Sequence, residues 1–133
     1  MEEIYPEHTV SVKIALFSQD LSNVLLMKYA PGHYGLPGGH LEHNELPDEA
    51  LERELQEELG VTLDAYEQSG FFLRGERGTS VILGYKGIAP ADLVLEPPHP
   101  EEEFGIWVSV TDALASPDLS QNYKDHILRS RPE

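Results

Sequence analysis

Apolar and polar positions alternate from Val10 to Leu16, with Val10, Val12, Ile14 and Leu16 on one register and Ser11 and Lys13 between them. A period of two predicts a β-strand rather than a helix. The polar stretch Ser18–Asn23 stops it, and the short apolar run Val24–Met27 follows, so the pair reads as a hairpin. Ala30–Gly39 holds two Pro and four Gly in ten residues. No helix accepts that composition, which predicts a loop under backbone control, of the kind that approaches a ligand closely. The period then changes: Leu51, Leu55 and Leu59 recur every four positions, Pro47 suits a first helical turn and Gly60 a C-terminal cap, predicting a helix over Leu46–Leu59. Phe71–Arg74 and Ser80–Tyr85 flank Gly75–Gly78 as a second hairpin, and Ile106–Val108 reads as a strand after the turn-rich Pro97–Pro100. Two helical pieces close the pattern. One is Asp112–Ala115 and the other Asp118–Arg129, where Leu119, Tyr123 and Ile127 stand four apart. No repeat or linker interrupts the 133 residues, which predicts a single domain over 1–133.

Charge narrows the ligand classes. The chain carries 24 Asp and Glu against 9 Lys and Arg, a net charge of −15. That balance repels phosphate backbones and anionic lipid, so neither a nucleic-acid polymer nor a membrane surface is the expected partner, and a small phosphate ligand would arrive with a cation. The first ten residues are acidic, without the basic and apolar regions of a secretory leader, and no apolar run nears the ~18 residues of a membrane span. Cytoplasm is the expected location. Without Cys, disulfides, thiolate metal sites and Cys nucleophiles drop out together.

The chemistry gathers at Gly39–Glu45 and Arg53–Val61. On a helix of about 100° per residue, with Glu54 at zero, Glu58 lies near 40° and Glu57 near −60°, while Leu51, Leu55 and Leu59 fall at about 60°, 100° and 140°. One flank packs on a core and the adjoining flank presents three carboxylates. In a chain with 17 Glu such a run also suits a plain solvated helix face. Carboxylates at helical contact spacing repel one another, however, and Mg²⁺ or Mn²⁺, which favour oxygen ligands, would offset that cost. The spacing decides between the two: at the chain's own residue frequencies the full pattern arises by chance on the order of once in a million.

Gly39, Glu45, Arg53, Glu54, Leu55, Glu57, Glu58, Gly60 and Val61 match every position of G-x5-E-x7-R-E-U-x-E-E-x-G-U, where U is apolar. The block 39–61 thus resembles the Nudix box of the MutT-like hydrolases, and Leu36-Pro37-Gly38-Gly39 resembles that family's lead-in. The resemblance implies an α/β (α+β) fold, an α/β/α sandwich around a mixed sheet. It implies divalent-metal-dependent hydrolysis of a nucleoside diphosphate linked to a further group X, with Mg²⁺ or Mn²⁺ as cofactor and a small nucleotide as partner. Among such reactions a nucleoside triphosphate pyrophosphohydrolase, giving monophosphate plus pyrophosphate, suits this compact chain best. A nucleotide-binding sensor without turnover and an enzyme for ADP-ribose or another nucleotide sugar are the alternatives. Gly75–Thr79 holds neither the Pro nor the Tyr that marks the ADP-ribose and dinucleoside polyphosphate subfamilies.

Residue by residue, the resemblance makes Glu54, Glu57 and Glu58 metal ligands beside the Gly38 carbonyl, with Glu57 helping to deprotonate water. Arg53 and Glu45 would orient the helix and its carboxylates. A further carboxylate is expected from Glu101-Glu102-Glu103, and Glu102 is taken as the representative. Lys28, Arg74, Gly38, Gly39 and Tyr34 are the substrate-side candidates, Tyr34 standing alone for the aromatic residue that usually precedes the box. Arg77 and Lys86 could also meet substrate phosphates, and for each of the four basic residues taken alone solvated surface is the plainer reading. His40 and His43 suggest a zinc pair by spacing, but no third nitrogen or sulfur ligand accompanies them. Trp107 reads as core, Phe72 as core or base platform. Monomer and homodimer both stay open.

Overall fold

The computed structural model describes residues 5–30, 32–98 and 102–132. Seven strands form one mixed sheet: β1 Thr9–Phe17, β2 Asn23–Ala30, β3 His33–Gly35, β4 Gly38–His40, β5 Tyr66–Arg74, β6 Ser80–Ile88 and β7 Phe104–Ser109. Three helices cover it: α1 Pro47–Leu59, α2 Val110–Ala115 and α3 Gln121–Ser130. The spatial order is β3-β2-β1-β6-β5, with β4 added beside β1 and β7 beside β2. β1 runs parallel to β6 along its whole length, Thr9↔Ser80 to Phe17↔Ile88.

The period of two in β1 sorts its side chains between two cores. Val12, Ile14 and Leu16, with Leu25 and Met27, meet Ala50, Leu51 and Leu55 of α1. Ala15 and Phe17, with Val24 and Leu26, meet Val110, Ala113, Leu119, Tyr123 and Ile127 of α2, α3 and the turn between them. These two packed faces make the expected α/β/α sandwich, and no helix among the described residues is long and apolar enough to cross a membrane.

α1 starts on Pro47, whose fixed φ suits the first turn, and the Leu46 N–H donates to Glu49 Oε1 at 2.9 Å. It ends at Gly60, left-handed at φ 62°, whose N–H donates to Gln56 O.

The first hairpin closes only at its base. β1 and β2 share the single register pair Phe17↔Val24, after which β2 turns to β7, from Asn23↔Ser109 to Lys28↔Phe104. The gap beside β1 is taken by β4, Ser11↔His40 to Lys13↔Gly38. The predicted loop at Ala30–Gly39 therefore contains two three-residue strands. Gly38 permits this approach: its φ is 135°, and a Cβ there would lie 1.9 Å from Val12 O. Strand β5 starts five residues before Phe71, because β6 pairs with the polar segment from Tyr66. Residues 117–119 are turn and bend, and α3 begins after its N-cap Ser120, whose hydroxyl accepts from the Tyr123 N–H.

Candidate active site

Beside β4 lies a cavity of about 1060 Å³, walled by Ser11 and Lys13 of β1, Gly38–His40, Glu54 and Glu58 of α1, Arg74 and Glu103, and closed by Pro117–Ser120 and Tyr123. Of the three box carboxylates, Glu54 and Glu58 face this space. Glu57 is 60% exposed and lies outside the wall.

Arg53 organises the cluster. Its Nε and Nη2 donate to the two oxygens of Glu45 at 2.8 and 3.0 Å, Nη1 donates to Glu54 at 3.0 Å and Glu57 at 3.4 Å, and Nη2 also reaches His40 O at 2.9 Å. All five guanidinium donors are in use. These bonds raise the Arg53 pKa further and hold the Glu45 carboxyl below its usual value, with the Arg53 hydrogen bond the leading cause. The planar fork fixes Glu45 in bidentate geometry, which Lys would not reproduce.

Glu58 points inward and accepts the Gly38 N–H at 2.7 Å. Burial, followed by a hydrogen bond to Glu103, pushes its carboxyl up to about 9. Two carboxylates lining the same wall are eased by a proton or a cation between them. Glu54 lies against the backbone of Gly39, where a Cβ would come within 2.5 Å of Glu54 Oε1. Among the described residues no three His, Asp or Glu side chains stand in a ready-made coordination arrangement, since Arg53 and Gly38 hold the carboxylates. The donor chemistry nevertheless fits a hard divalent cation: carboxylate and carbonyl oxygens, with no sulfur.

The late acidic stretch contributes Glu103, which lines the cavity, whereas Glu102 is exposed and outside the wall. Glu101 lies outside the described residues. Arg74 stands over Tyr123, 4.7 Å from the ring centroid, and donates to the Tyr123 hydroxyl at 2.6 Å. Tyr34 lines the cavity, but Lys28 does not: its Nζ sits 5.6 Å from the Tyr34 ring centroid. His40 lines the wall with Nδ1 against the Ser11 hydroxyl at 2.9 Å, while His43 is exposed and outside it, so the two do not form a metal pair. Lys86 pairs with Glu67 at 3.3 Å, and Arg77 is exposed. Trp107 packs against the α1-side core, and Phe72 lies edge-on to Tyr123 in the other.

Sequence reasoning missed Lys13. It sits in a strand whose alternation marks it only as polar, yet its Nζ donates to Leu36 O at 3.1 Å, Gly38 O at 3.2 Å and Tyr29 Oη at 3.2 Å. Burial lowers its pKa against the opposing pull of Glu58, Glu103 and Glu54. Tyr29 and the Pro117–Ser120 turn were missed as well, because only the crossing of distant strands brings them to the cavity.

The fold is shared by MutT of Methanosarcina mazei Go1, with a TM-score of 0.75 at 21% identity over 96% of this chain and 95% of that one. It is also shared by the NUDIX domain of Shewanella oneidensis NrtR, solved with ADP ribose, at 0.77 and 24% over 96% and 88%. In sequence, a MutT-like protein of Streptomyces ambofaciens is 33% identical over 73 residues, 55% of this chain and 47% of its own length. An 8-oxo-dGTP diphosphatase of Proteus vulgaris is 53% identical over 36 residues, 27% of this chain and 32% of its own. The matches thus span under half the length of either relative. Residues 7–129 match the family model of the NUDIX domain, and with the complete Gly39–Val61 signature at the rim of the cavity this chain belongs to the Nudix family of MutT-like hydrolases.

Proposed function

We propose that the protein is a divalent-cation-dependent hydrolase of nucleoside diphosphates linked to a further group, with nucleoside triphosphates cleaved to monophosphate and pyrophosphate in the cytoplasm. The observation that carries this reading is the wall of Glu54, Glu58 and Glu103 against the Gly38–Gly39 backbone, in a cavity large enough for a nucleotide. Glu54, Glu57, Glu58 and the Gly38 carbonyl would hold Mg²⁺ or Mn²⁺, joined by Glu103 rather than Glu102. When bound, the cation supplies neutralisation of phosphate charge and acidifies a water.

The chain's own residues do the remainder. Arg53 and Glu45 fix the helix so that the carboxylates do not reorganise during reaction. Arg74 presents a guanidinium, already oriented by Tyr123, to the phosphate chain. The nucleoside lies along Tyr34 and the Pro117–Ser120 turn. Water attacks phosphorus, the anhydride P–O bond breaks, and a carboxylate takes the proton of the water. Glu57 and Glu103 are the two carboxylates open to that role.

The test is a panel with Mg²⁺: nucleoside triphosphates, 8-oxo-dGTP, ADP-ribose and dinucleoside polyphosphates, scored for phosphate, pyrophosphate and monophosphate. Pyrophosphate plus monophosphate, absent in EDTA, is the expected outcome. Nucleotide bound and returned intact in a single-turnover experiment would make the chain a sensor instead.

A further inference from the structure

We propose that Lys13 is the resident positive charge of the cation site, placed so that it opposes a divalent cation at the Gly38 carbonyl and keeps the nucleotide-free site weak for metal. The inference rests on the cation-site reading above and concerns a residue outside the Gly39–Val61 signature.

Geometry sets the argument. The register Lys13↔Gly38 places the lysine directly across from the first glycine of the pair. An ammonium has three donors, and here all three end on uncharged oxygens, Leu36 O, Gly38 O and Tyr29 Oη, with the Tyr29 ring centroid 5.6 Å away. Among the described residues no carboxylate lies within ion-pairing distance of it. Yet Glu58, Glu103 and Glu54 all act on its charge. The ammonium therefore offsets the carboxylate wall without binding it, held in place by neutral dipoles.

Gly38 is loaded at both ends. Its N–H donates to Glu58 and its carbonyl accepts from Lys13. A cation entering at that carbonyl meets an oxygen already polarised by an ammonium, and the two positive charges repel at short range. The carboxylate wall alone cannot outweigh this repulsion as well as it could without Lys13. A polyphosphate carrying further negative charge restores the balance, so cation and nucleotide are favoured to enter together.

Mn²⁺ binding to the nucleotide-free protein, followed by the electron paramagnetic resonance signal of free Mn²⁺ at pH 7.5, tests this. Lys13→Met should tighten Mn²⁺ binding by about fivefold or more, while Lys13→Arg, which keeps the charge, should stay within about twofold of wild type. Unaltered or weaker binding in Lys13→Met, with a cooperative melt in EDTA, would overturn the proposal. Lys13→Gln removes the charge and keeps a donor for the loop carbonyls, and should also tighten binding. If neither neutral variant folds, Lys13 is a strut and the proposal fails. Wild type and Lys13→Met both silent toward Mn²⁺ would sink the cation site itself, whereas Mn²⁺ binding by wild type with no tightening in Lys13→Met would sink this inference alone.

Discussion

Two arginines on helices at opposite faces of the sheet, α1 and α3, do opposite work. Arg53 of α1 spends every donor on Glu45, Glu54, Glu57 and the His40 carbonyl, yet Glu58 remains beside Glu103 and the Lys13 ammonium bonds only uncharged oxygens. Arg129 of α3 donates from Nε to Ser69 O at 3.0 Å and from Nη2 to His126 Nδ1 at 2.9 Å. His126 in turn donates from Nε2 to Tyr85 O at 2.8 Å. Those bonds fix a neutral imidazole in one tautomer, and burial lowers its pKa. The second network brings no carboxylates together, and both nitrogens of its buried imidazole are bonded. The first stays electrostatically incomplete, with carboxylates pressed together and awaiting positive charge. Completeness distinguishes polar groups that hold a fold from polar groups that wait for a ligand.

The sharpest way to break this contrast is Glu58→Gln. If the incompleteness is functional, kcat falls by about two to three orders of magnitude, while the melting temperature in EDTA holds or rises because one crowded carboxylate is gone. A fall in stability with activity retained would make α1 a second structural network. Comparing Glu57→Gln with Glu103→Gln at saturating Mg²⁺ then locates the water-activating group by the larger loss in kcat.

Arg53→Lys keeps the charge but loses the fork, and kcat should fall by about tenfold or more with the fold intact. Equal activity would show that orientation by Arg53 contributes nothing.

The pH dependence of the metal-free protein gives a smaller effect with a definite sign. Glu58 has its usual value near 4.5 when unfolded and about 9 in the fold, so the folded state binds its proton more tightly. The stability it confers is therefore complete below about 4.5 and is lost as pH rises toward 9. Millimolar Mg²⁺ should raise the melting temperature and flatten that decline, because it binds only the folded chain. Scanning calorimetry in EDTA and in Mg²⁺ reads both, and identical curves would count against the cation site.

On the closed side, His126→Gln should cost about 1–3 kcal/mol at pH 7.5 by disturbing the bonds to Tyr85 O and Arg129. His126 titrates in the reverse sense. Its folded pKa lies below the ordinary 6.5, so its stabilisation is present above 6.5 and is lost as pH falls through the folded value. The gap between wild type and His126→Gln in urea denaturation should shrink below pH 6.5, and a gap independent of pH would mean that the imidazole does not titrate there.

Wherever a run of residues carried its own period or spacing, the fold and the placing of candidate side chains were legible in the sequence. Leu51, Leu55 and Leu59 predicted α1 and its buried face, Pro47 and Gly60 its ends, and Val12, Ile14 and Leu16 the central strand. The Gly39–Val61 spacing predicted a carboxylate cluster, and Arg53 with Glu45 proved a bonded pair. Such features are local, since helix geometry converts sequence separation directly into spatial proximity.

Tertiary structure decided what no local rule encodes. Strands β3 and β4 exist because distant partners pair with three-residue segments that have no intrinsic strand signal. Glu103 rather than Glu102 reaches the cavity because the entry to β7 aims it there. Lys28 was drawn onto Tyr34, and Glu57 was left outside the wall. Lys13 became part of the site only because Gly38 crosses β1 at that register. Sequence by itself determined the residue types and the helical face on which the carboxylates stand. The crossing of β4 over β1 determined which of them share a cavity, because side chains far apart in the chain meet only through the pairing of the strands that carry them.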